Sequence, residues 1–195
     1  MKDKLFIYPT DTVWGIGGNI FSKACYEKII QVKGRDANKP LSVLFPNIEE
    51  LFKFVDFPEQ MSRTWLEKFF SLESTLGVPT SWVIPEIPAW ICQGSPFMAV
   101  RCIDSKAIND IYSQIDSPVT STSLNYSGFS PIVNEYDARE FFDDHIKDEV
   151  FIENRDAPCS GRSSTIVLLK ESGAEIVRSG LYESEIKEHL ELLST

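Results

Sequence analysis

Short strand-like runs, each followed by a polar or turn-forming segment, are the feature that most constrains the fold of this chain. Such runs are too short for stable helices, and several are rich in the β-branched and aromatic residues that favour strands. They lie at residues 5–8, 41–45, 82–84, 98–102, 118–121, 150–152, 165–169 and 175–177. Strands spaced in this way along the whole chain predict a sheet, and the segments between them decide how its faces are covered.

Helical patterns fill much of the space between the runs. A helix is predicted to start at Ser22, which is a good N-cap residue, and to continue to about Lys33. Further helices are predicted at 48–54, after Pro58, from Asp104 or Ser105 to about 112, at 136–142 and at 183–192. This mixture predicts an α/β (α+β) fold with a twisted mixed sheet covered by helices. No linker-like stretch interrupts it, so residues 1–195 are expected to form one domain.

Charge limits what the protein binds. The chain has 19 Lys and Arg against 29 Asp and Glu, which gives a formal net charge of −10. Binding of nucleic acid through bulk charge is therefore not expected. An anionic substrate would need a local cluster of cations.

Cysteine spacing and apolar runs indicate the cellular environment. The 4 cysteines include no C-x-x-C pair, which argues against a zinc or dithiol site and for a reducing compartment. No run approaches the roughly 18 apolar residues of a membrane helix, and no signal core follows Met1. A cytoplasmic protein without membrane contact is expected.

Histidine-based catalysis is not expected either. The only two histidines, His145 and His189, both lie in acidic and helix-like contexts. A Ser-His-Asp or Cys-His arrangement would have to use one of them. The sequence also lacks the G-x-x-x-x-G-K-[ST] phosphate loop.

Two polar segments in the first forty residues could hold a ligand. Residues 8–12 place Thr10 and Thr12 directly after a strand, and glycines follow that could let backbone N–H groups approach a ligand. An ordinary turn explains this segment equally well. The second segment, 33–40, holds Lys33, Arg35 and Lys39, a spacing that suits a polyphosphate. A solvated helix end is its alternative.

Two more polar segments follow later strands. Residues 120–128 are rich in hydroxyl groups and end in glycine, and residues 160–165 combine hydroxyls with an arginine. Both could donate hydrogen bonds to phosphate or carboxylate oxygens, although soluble loops often look like this. Arg101 lies inside an apolar strand, where a buried guanidinium needs a ligand or an acidic partner. Arg178 follows a strand in a similar way.

In their order along the chain, these segments resemble the YrdC-like threonylcarbamoyl-adenylate synthases. The matching motifs are Tyr-Pro-Thr-Asp-Thr-x-x-Gly-x-Gly at 8–17, Lys-x-Arg at 33–35, Ala-Val-Arg at 99–101, Ser-x-Asn at 123–125 and Ser-Thr-Ile-Val at 164–167. The chain departs from the family where Pro-Gly-Pro-x-Thr is usual: we match that element to residues 76–80, with Thr80 as the retained threonine. Leu124 replaces a small residue, and Trp14 replaces Tyr or Phe.

The resemblance implies a YrdC-like fold with a concave basic cavity and an enzyme that condenses L-threonine, bicarbonate or CO2, and ATP. Its products would be threonylcarbamoyl-AMP and pyrophosphate, used in the t6A modification of tRNA, with Mg²⁺ bound through ATP rather than through a dedicated protein metal site. The expected catalytic residues are Lys33 and Arg35. The expected ATP-binding and phosphate-binding residues are Lys39, Ser121, Ser123, Asn125, Ser163, Ser164 and Arg178. The residues expected to hold threonine or its carbamate are Thr10, Thr12, Thr122 and Arg101.

Two other functions stay open at this stage. The same fold could serve as a binding module for double-stranded RNA or a nucleotide, and a local patch around Lys33, Arg35 and Arg101 would allow it. A paralogue with a different acceptor is the other possibility, and the altered 76–80 segment favours it. A functional link to the proteins that transfer the threonylcarbamoyl group to tRNA is expected, with weak or no direct binding of nucleic acid.

Overall fold

The computed structural model of the protein describes residues 1–34, 40–126, 128–155 and 158–193. Its strands form one mixed sheet, as the sequence predicts. The strands are β1 (Phe6–Tyr8), β2 (Gly15–Gly17), β3 (Ser42–Phe45), β4 (Ser74–Pro79), β5 (Phe97–Cys102), β6 (Val119–Ser123), β7 (Val150–Phe151), β8 (Thr165–Lys170) and β9 (Gly173–Arg178). Their order across the sheet is β7-β1-β2-β6-β3-β5-β4-β8-β9. The pairs β1–β7, β3–β5 and β4–β8 are parallel, and the other neighbours are antiparallel.

Most of the described α-helices begin after a residue whose side chain caps them. The helices are α1 (Lys23–Lys33), α2 (Ile48–Phe52), α3 (Arg63–Phe70), α4 (Ala89–Cys92), α5 (Lys106–Ile115), α6 (Glu135–His145) and α7 (Glu183–Glu191). The Ser22 side chain accepts from the Cys25 N–H, which confirms the predicted start of α1. Ser105, not Asp104, caps α5. No helix in the described ranges is both long enough and apolar enough to cross a membrane.

Four elements differ from the sequence prediction. Residues 15–17 form β2 rather than part of a loop, and neither β4 nor α4 was predicted. The strand predicted at 82–84 is wrong: Thr80–Trp82 is a 3-10 helix, and Val83 makes only an isolated bridge to Val55. The Val83 N–H donates to the Thr80 carbonyl, so the chain turns there instead of extending.

Different helices cover the two faces of the sheet. On one face, Val43 and Phe45 of β3 belong to a core that includes residues of α2 and α3. On the other face, Leu44 of β3 packs in a cluster with Ile108 and Ile111 of α5. Successive strand residues point to opposite faces, so α5 lies on the opposite side of the sheet from α2 and α3. Arg101 of β5 is in register with Leu44 and therefore lies on the α5 side, where the cleft described next is found.

Candidate functional site

A polar cleft of about 220 Å³ lies on the α5 side of the sheet. Strands and connecting segments from distant parts of the chain contribute its walls. Its polar lining comes from Thr10, Thr12, Ser42, Thr75, Arg101, Ser121, Thr122, Ser123, Ser163, Ser164 and Arg178. The volume suits a small polar molecule, since drug-sized ligands usually occupy about 300–1,000 Å³.

Arg101 is the buried cation of the cleft. Only 8% of the residue is exposed. One of its terminal nitrogens donates to the Asp11 carboxylate at 2.6 Å, and the other donates to the Thr12 hydroxyl at 2.9 Å. Its Nε has no hydrogen-bond partner among the described residues. Because an unpaired buried donor is costly, this nitrogen is a natural contact for a bound anion.

The hydroxyls of Thr10 and Thr12 act mainly on the protein itself. Thr10 donates to the Val13 carbonyl at 2.6 Å and lies 2.9 Å from the Thr12 hydroxyl. Because the Thr10 hydroxyl uses its one hydrogen to donate to the Val13 carbonyl, the Thr12 hydroxyl must be the donor to Thr10. The Thr12 oxygen at the same time accepts from Arg101. The two threonines thus fix the guanidinium in place, and their predicted contact with threonine or its carbamate stays a prediction.

Arg178 forms the second cationic group of the cleft. Its Nε donates to the Ser164 carbonyl and one terminal nitrogen donates to the Ser164 hydroxyl, both at 2.9 Å. That hydroxyl also lies 2.7 Å from the Thr75 hydroxyl. Burial lowers the pKa of Arg178, and the positive charge of Arg101 lowers it further. Two guanidinium groups that repel each other in one cleft favour an anion between or beside them.

Lys33 meets the hydroxyl-rich segment at the end of β6. Its ammonium donates to the Ser123 carbonyl and to the Asn125 side-chain oxygen, the latter at 2.5 Å. The Ser123 hydroxyl donates to the same Asn125 oxygen at 3.0 Å. Lys33 is only 8% exposed, so α1 ends with a cation that is largely shielded from solvent. The lysine and the Ser-x-Asn motif are about 90 residues apart in sequence, and the fold brings them together.

The glycines after the first strand serve packing. A Cβ at Gly17 would lie 1.6 Å from the Thr120 carbonyl oxygen, and one at Gly15 would lie 2.8 Å from the Tyr8 ring. Tyr8 is fully buried and its hydroxyl donates to the Ser121 hydroxyl at 3.0 Å. Burial raises the pKa of Tyr8 far above its usual value, so it stays a neutral donor. Close approach of the strands requires these glycines, and Gly15 also lines the cleft, so the predicted approach to a ligand stays a prediction.

Most predicted site residues meet around this cleft. Thr122 and Ser163 line it, but their hydroxyls make no hydrogen bond within the described residues, while Arg35 and Lys39 lie outside those residues. The match of Thr80 to the family's threonine is wrong, because Thr80 is exposed in the 3-10 helix and does not line the cleft, whereas Thr75 does. Thr75 and Ser42 were missed, and Asp11, within the predicted 8–12 segment, was given no role. Isolated hydroxyls give no signal until the register of the sheet is known.

Fold and site together define an α/β protein with a polar, arginine-containing cleft on one sheet face. The Sua5/YciO/YrdC family model, described as "Telomere recombination", matches residues 1–180, and the chain belongs to this family. The threonylcarbamoyl-AMP synthase of Histophilus somni (strain 2336) is 31% identical over 133 residues, which cover 67% of this chain and 70% of that protein. The synthase of Pseudomonas syringae pv. syringae is 28% identical over 177 residues, 89% of each chain.

Solved structures agree with the fold. P. abyssi Sua5 complexed with L-threonine superposes with a TM-score of 0.82 at 26% identity, covering 96% of this chain. The match spans only 54% of that longer Sua5 chain. E. coli YciO superposes with a TM-score of 0.76 at 15% identity, covering 94% of this chain and 86% of its own, and so supports the fold alone.

Proposed function

We propose that this protein is an L-threonylcarbamoyladenylate synthase. It condenses L-threonine, bicarbonate or CO2, and ATP to threonylcarbamoyl-AMP and pyrophosphate. The observation that carries the proposal is the pair of guanidinium groups, the buried Arg101 and the more exposed Arg178, in one hydroxyl-lined cleft of a chain with a net charge of −10. Relatives that bear this name, and a Sua5 structure complexed with L-threonine, support the same reaction.

Threonine binds on the Arg101 side. The carboxylate of the amino acid meets the unpaired Nε of Arg101, whose orientation is fixed by Asp11 and Thr12. The free amine of threonine adds to CO2 and releases a proton, which gives a carbamate. A carbamate oxygen then attacks the α-phosphorus of ATP as the bond to pyrophosphate breaks. That oxygen is already anionic, so the attack needs positioning and charge stabilisation more than a protein base.

ATP binds on the Arg178 side and extends beyond the cleft. Arg178 and Ser164 offer donors to the α-phosphate region, while Ser163 lies beside them. Lys33 lies at the far end of β6, next to Ser123 and Asn125, where it can stabilise the triphosphate and the leaving pyrophosphate. The cleft volume of about 220 Å³ fits threonine better than a whole nucleotide, which is why we place the triphosphate along the Lys33 side.

The remaining predicted residues take supporting roles in this proposal. Arg35 and Lys39 add charge for the phosphates, Ser121 contacts the ribose region, and Thr10 and Thr122 complete the threonine side. Within the described ranges, no group of three or more His, Cys, Asp or Glu side chains could hold a metal. In this proposal Mg²⁺ enters with ATP, bound by phosphate oxygens and water. The adenylate would be used by the proteins that form t6A on tRNA.

The test measures pyrophosphate release and adenylate formation with ATP, bicarbonate and each amino acid in turn. We expect threonine to be the preferred substrate. Lys33→Ala should lower turnover by at least about 100-fold, because a buried cation that neutralises developing phosphate charge contributes roughly 3 kcal/mol or more to the transition state. Lys53→Ala, which removes an exposed lysine bonded to Glu50, is the matched control. Turnover that Lys33→Ala leaves unchanged contradicts the role of Lys33.

The same screen separates the alternatives. Turnover with another amino acid and none with threonine would indicate a paralogue with a different acceptor. The altered 76–80 segment no longer favours that alternative, since Thr80 is remote from the cleft. RNA binding at moderate salt without any amino-acid-dependent turnover would indicate a binding module.

A further inference from the structure

One exposed segment connects the two halves of the cleft. Residues 158–162 run alongside Asp11 and Thr12, which lie on the proposed threonine side of the cleft. The Ser160 N–H donates to the Asp11 carbonyl at 2.8 Å, and the Gly161 N–H donates to the Thr12 carbonyl at 2.9 Å. The chain continues directly into Ser163 and Ser164, which lie on the proposed nucleotide side of the cleft. Its position therefore determines how the two sides are placed relative to each other.

The side chain of Glu73 also binds this segment. The Ser160 hydroxyl donates to the Glu73 carboxylate at 2.7 Å. Glu73 directly precedes β4, whose second residue, Thr75, lines the cleft beside Ser164. The Glu73 carbonyl also accepts the Thr165 N–H at 3.1 Å. One residue thus touches both the 158–162 segment and the start of the strand β8 that follows it.

The structure keeps Glu73 in an unfavourable conformation. Its φ is 49°, in the left-handed region that favours glycine. Burial raises the pKa of its carboxyl, the hydrogen bond from Ser160 lowers it, and the charges of Asp11 and Arg101 shift it in opposite directions. A glycine would relieve the backbone strain. Stability alone does not explain a glutamate here, and strain of this kind often accompanies function.

We propose that Glu73 is a positioning residue, which acts through Ser160 to hold the 158–162 segment so that threonine and ATP are aligned for reaction. This inference rests on the proposed function. Glu73 itself touches neither substrate. Its hydrogen bond fixes the backbone that supports Asp11 and Thr12, and these two residues fix Arg101.

The first experiment measures the position of the segment without using the reaction. Amide hydrogen exchange of Ser160 and Gly161 reports the two backbone bonds to Asp11 and Thr12. Glu73→Ala and Ser160→Ala should each accelerate this exchange by about 3- to 10-fold, as expected for one lost hydrogen bond. Glu73→Gln keeps an acceptor oxygen and Ser160→Thr keeps the donor, so both should stay near the wild-type rate. Unchanged exchange in both alanine variants would overturn the proposal.

The second experiment compares stability with kinetics. Glu73→Gly should leave the melting temperature unchanged or higher, because glycine adopts the positive φ at little cost, yet kcat/KM should fall by about 3- to 10-fold. A residue with a purely structural role would change both in the same direction. The double variant Glu73→Ala/Ser160→Ala should lose no more kcat/KM than either single variant, since both remove the same bond. Additive losses would contradict action through Ser160.

Asp110→Ala is the control, because it removes a surface carboxylate that bonds Lys106 away from the cleft. It should change neither exchange at the segment nor kcat/KM. If the wild-type protein forms no adenylate but the exchange rates change as expected, the proposed function fails while the anchoring by Glu73 stands. If adenylate forms and the exchange rates do not change, the reverse holds.

Discussion

Arg101 brings a positive charge into a nearly solvent-free position, and the surrounding residues explain how it is tolerated. Asp11 neutralises it, Thr12 accepts from its second terminal nitrogen, and Thr10 holds Thr12. Breaking such a buried pair leaves an uncompensated charge, which is strongly unfavourable. Of the three guanidinium nitrogens of Arg101, Nε alone has no hydrogen-bond partner in the described residues, so this is where we expect an anionic ligand to bind.

Replacing Arg101 tests this view at the level of one residue. Arg101→Gln should raise the KM for threonine by at least about 10-fold, because a hydrogen bond to a charged group contributes roughly 1.5–3 kcal/mol. The KM for ATP should change much less, since Arg178 and Lys33 lie on the nucleotide side. Steady-state kinetics with each substrate varied in turn will measure both values. Arg63→Gln, at an exposed ion pair with Glu67, is the control, and equal rises in both KM values would contradict the assignment.

Sequence reasoning succeeded for residues that carry a distinctive local pattern. Lys33, Ser123 and Asn125 were singled out, and the fold places them in contact. Thr75 gave no such pattern, because a single hydroxyl in a strand acquires its meaning only from its neighbours across the sheet. The register of β4 with β8 pairs Thr75 with Ile166. Tertiary packing sets this register, so it cannot be predicted from the sequence of either segment alone.

At the scale of single elements, helix α5 ends at a residue whose backbone conformation lowers the stability of the fold. Its C-cap residue, Asp116, has a φ of 49° and is exposed. Glycine adopts this left-handed conformation without the steric cost of a Cβ. We expect Asp116→Gly to increase the free energy of unfolding by about 0.5–1 kcal/mol. Urea denaturation will measure it, and Asp116→Ala, which keeps the Cβ, should give no such gain.

Helices α2 and α5 are connected by a hydrogen bond that depends on pH. The Tyr112 hydroxyl donates to Glu50 at 2.5 Å, and Lys53 pairs with the same carboxylate. These partners, Lys53 first and Tyr112 second, lower the pKa of Glu50. A carboxyl whose pKa is lower in the folded state stabilises the fold above its unfolded pKa of about 4.3, and this contribution is lost as the pH falls through the folded value.

Glu50→Gln should therefore cost up to about 1 kcal/mol of unfolding free energy at pH 7. The difference from the wild type should shrink as the pH approaches 3. Chemical denaturation at several pH values will follow it, with Glu59→Gln at an exposed position as the control. A difference that is constant across this range would show that the charge of Glu50 is not involved.

Element prediction was most accurate where a cap and a periodic face coincide. The starts of α1 and α5 followed from Ser22 and Ser105, whose side chains accept the expected backbone N–H groups. Strand β2 was missed because Gly15 and Gly17 have low strand propensity by themselves. In the structure that same lack of side chains admits the Tyr8 ring and the Thr120 carbonyl, so tertiary contact reverses the local preference.

The whole molecule is strongly acidic, yet its cleft holds two arginines. Its net charge of −10 is compatible with an anionic substrate only because Arg101, Arg178 and Lys33 lie close to the binding position, within about one Debye length of it. Composition alone predicted that such a cluster would have to exist. Its place on the α5 side of the sheet could not be predicted, because that requires the strand order.

Binding at this cleft should stabilise the entire fold, since a ligand that binds only the native state shifts the unfolding equilibrium. L-Threonine at 100 times its Kd should add about 2.7 kcal/mol, or roughly 5–10 °C in Tm for a chain of this size. Arg101→Gln should abolish the shift with threonine, whereas a nucleotide should still raise the Tm of this variant, because Arg178 and Lys33 are intact. Differential scanning fluorimetry of both proteins with each ligand separates the two sides of the cleft. A threonine shift that survives Arg101→Gln would place the amino acid elsewhere on the protein.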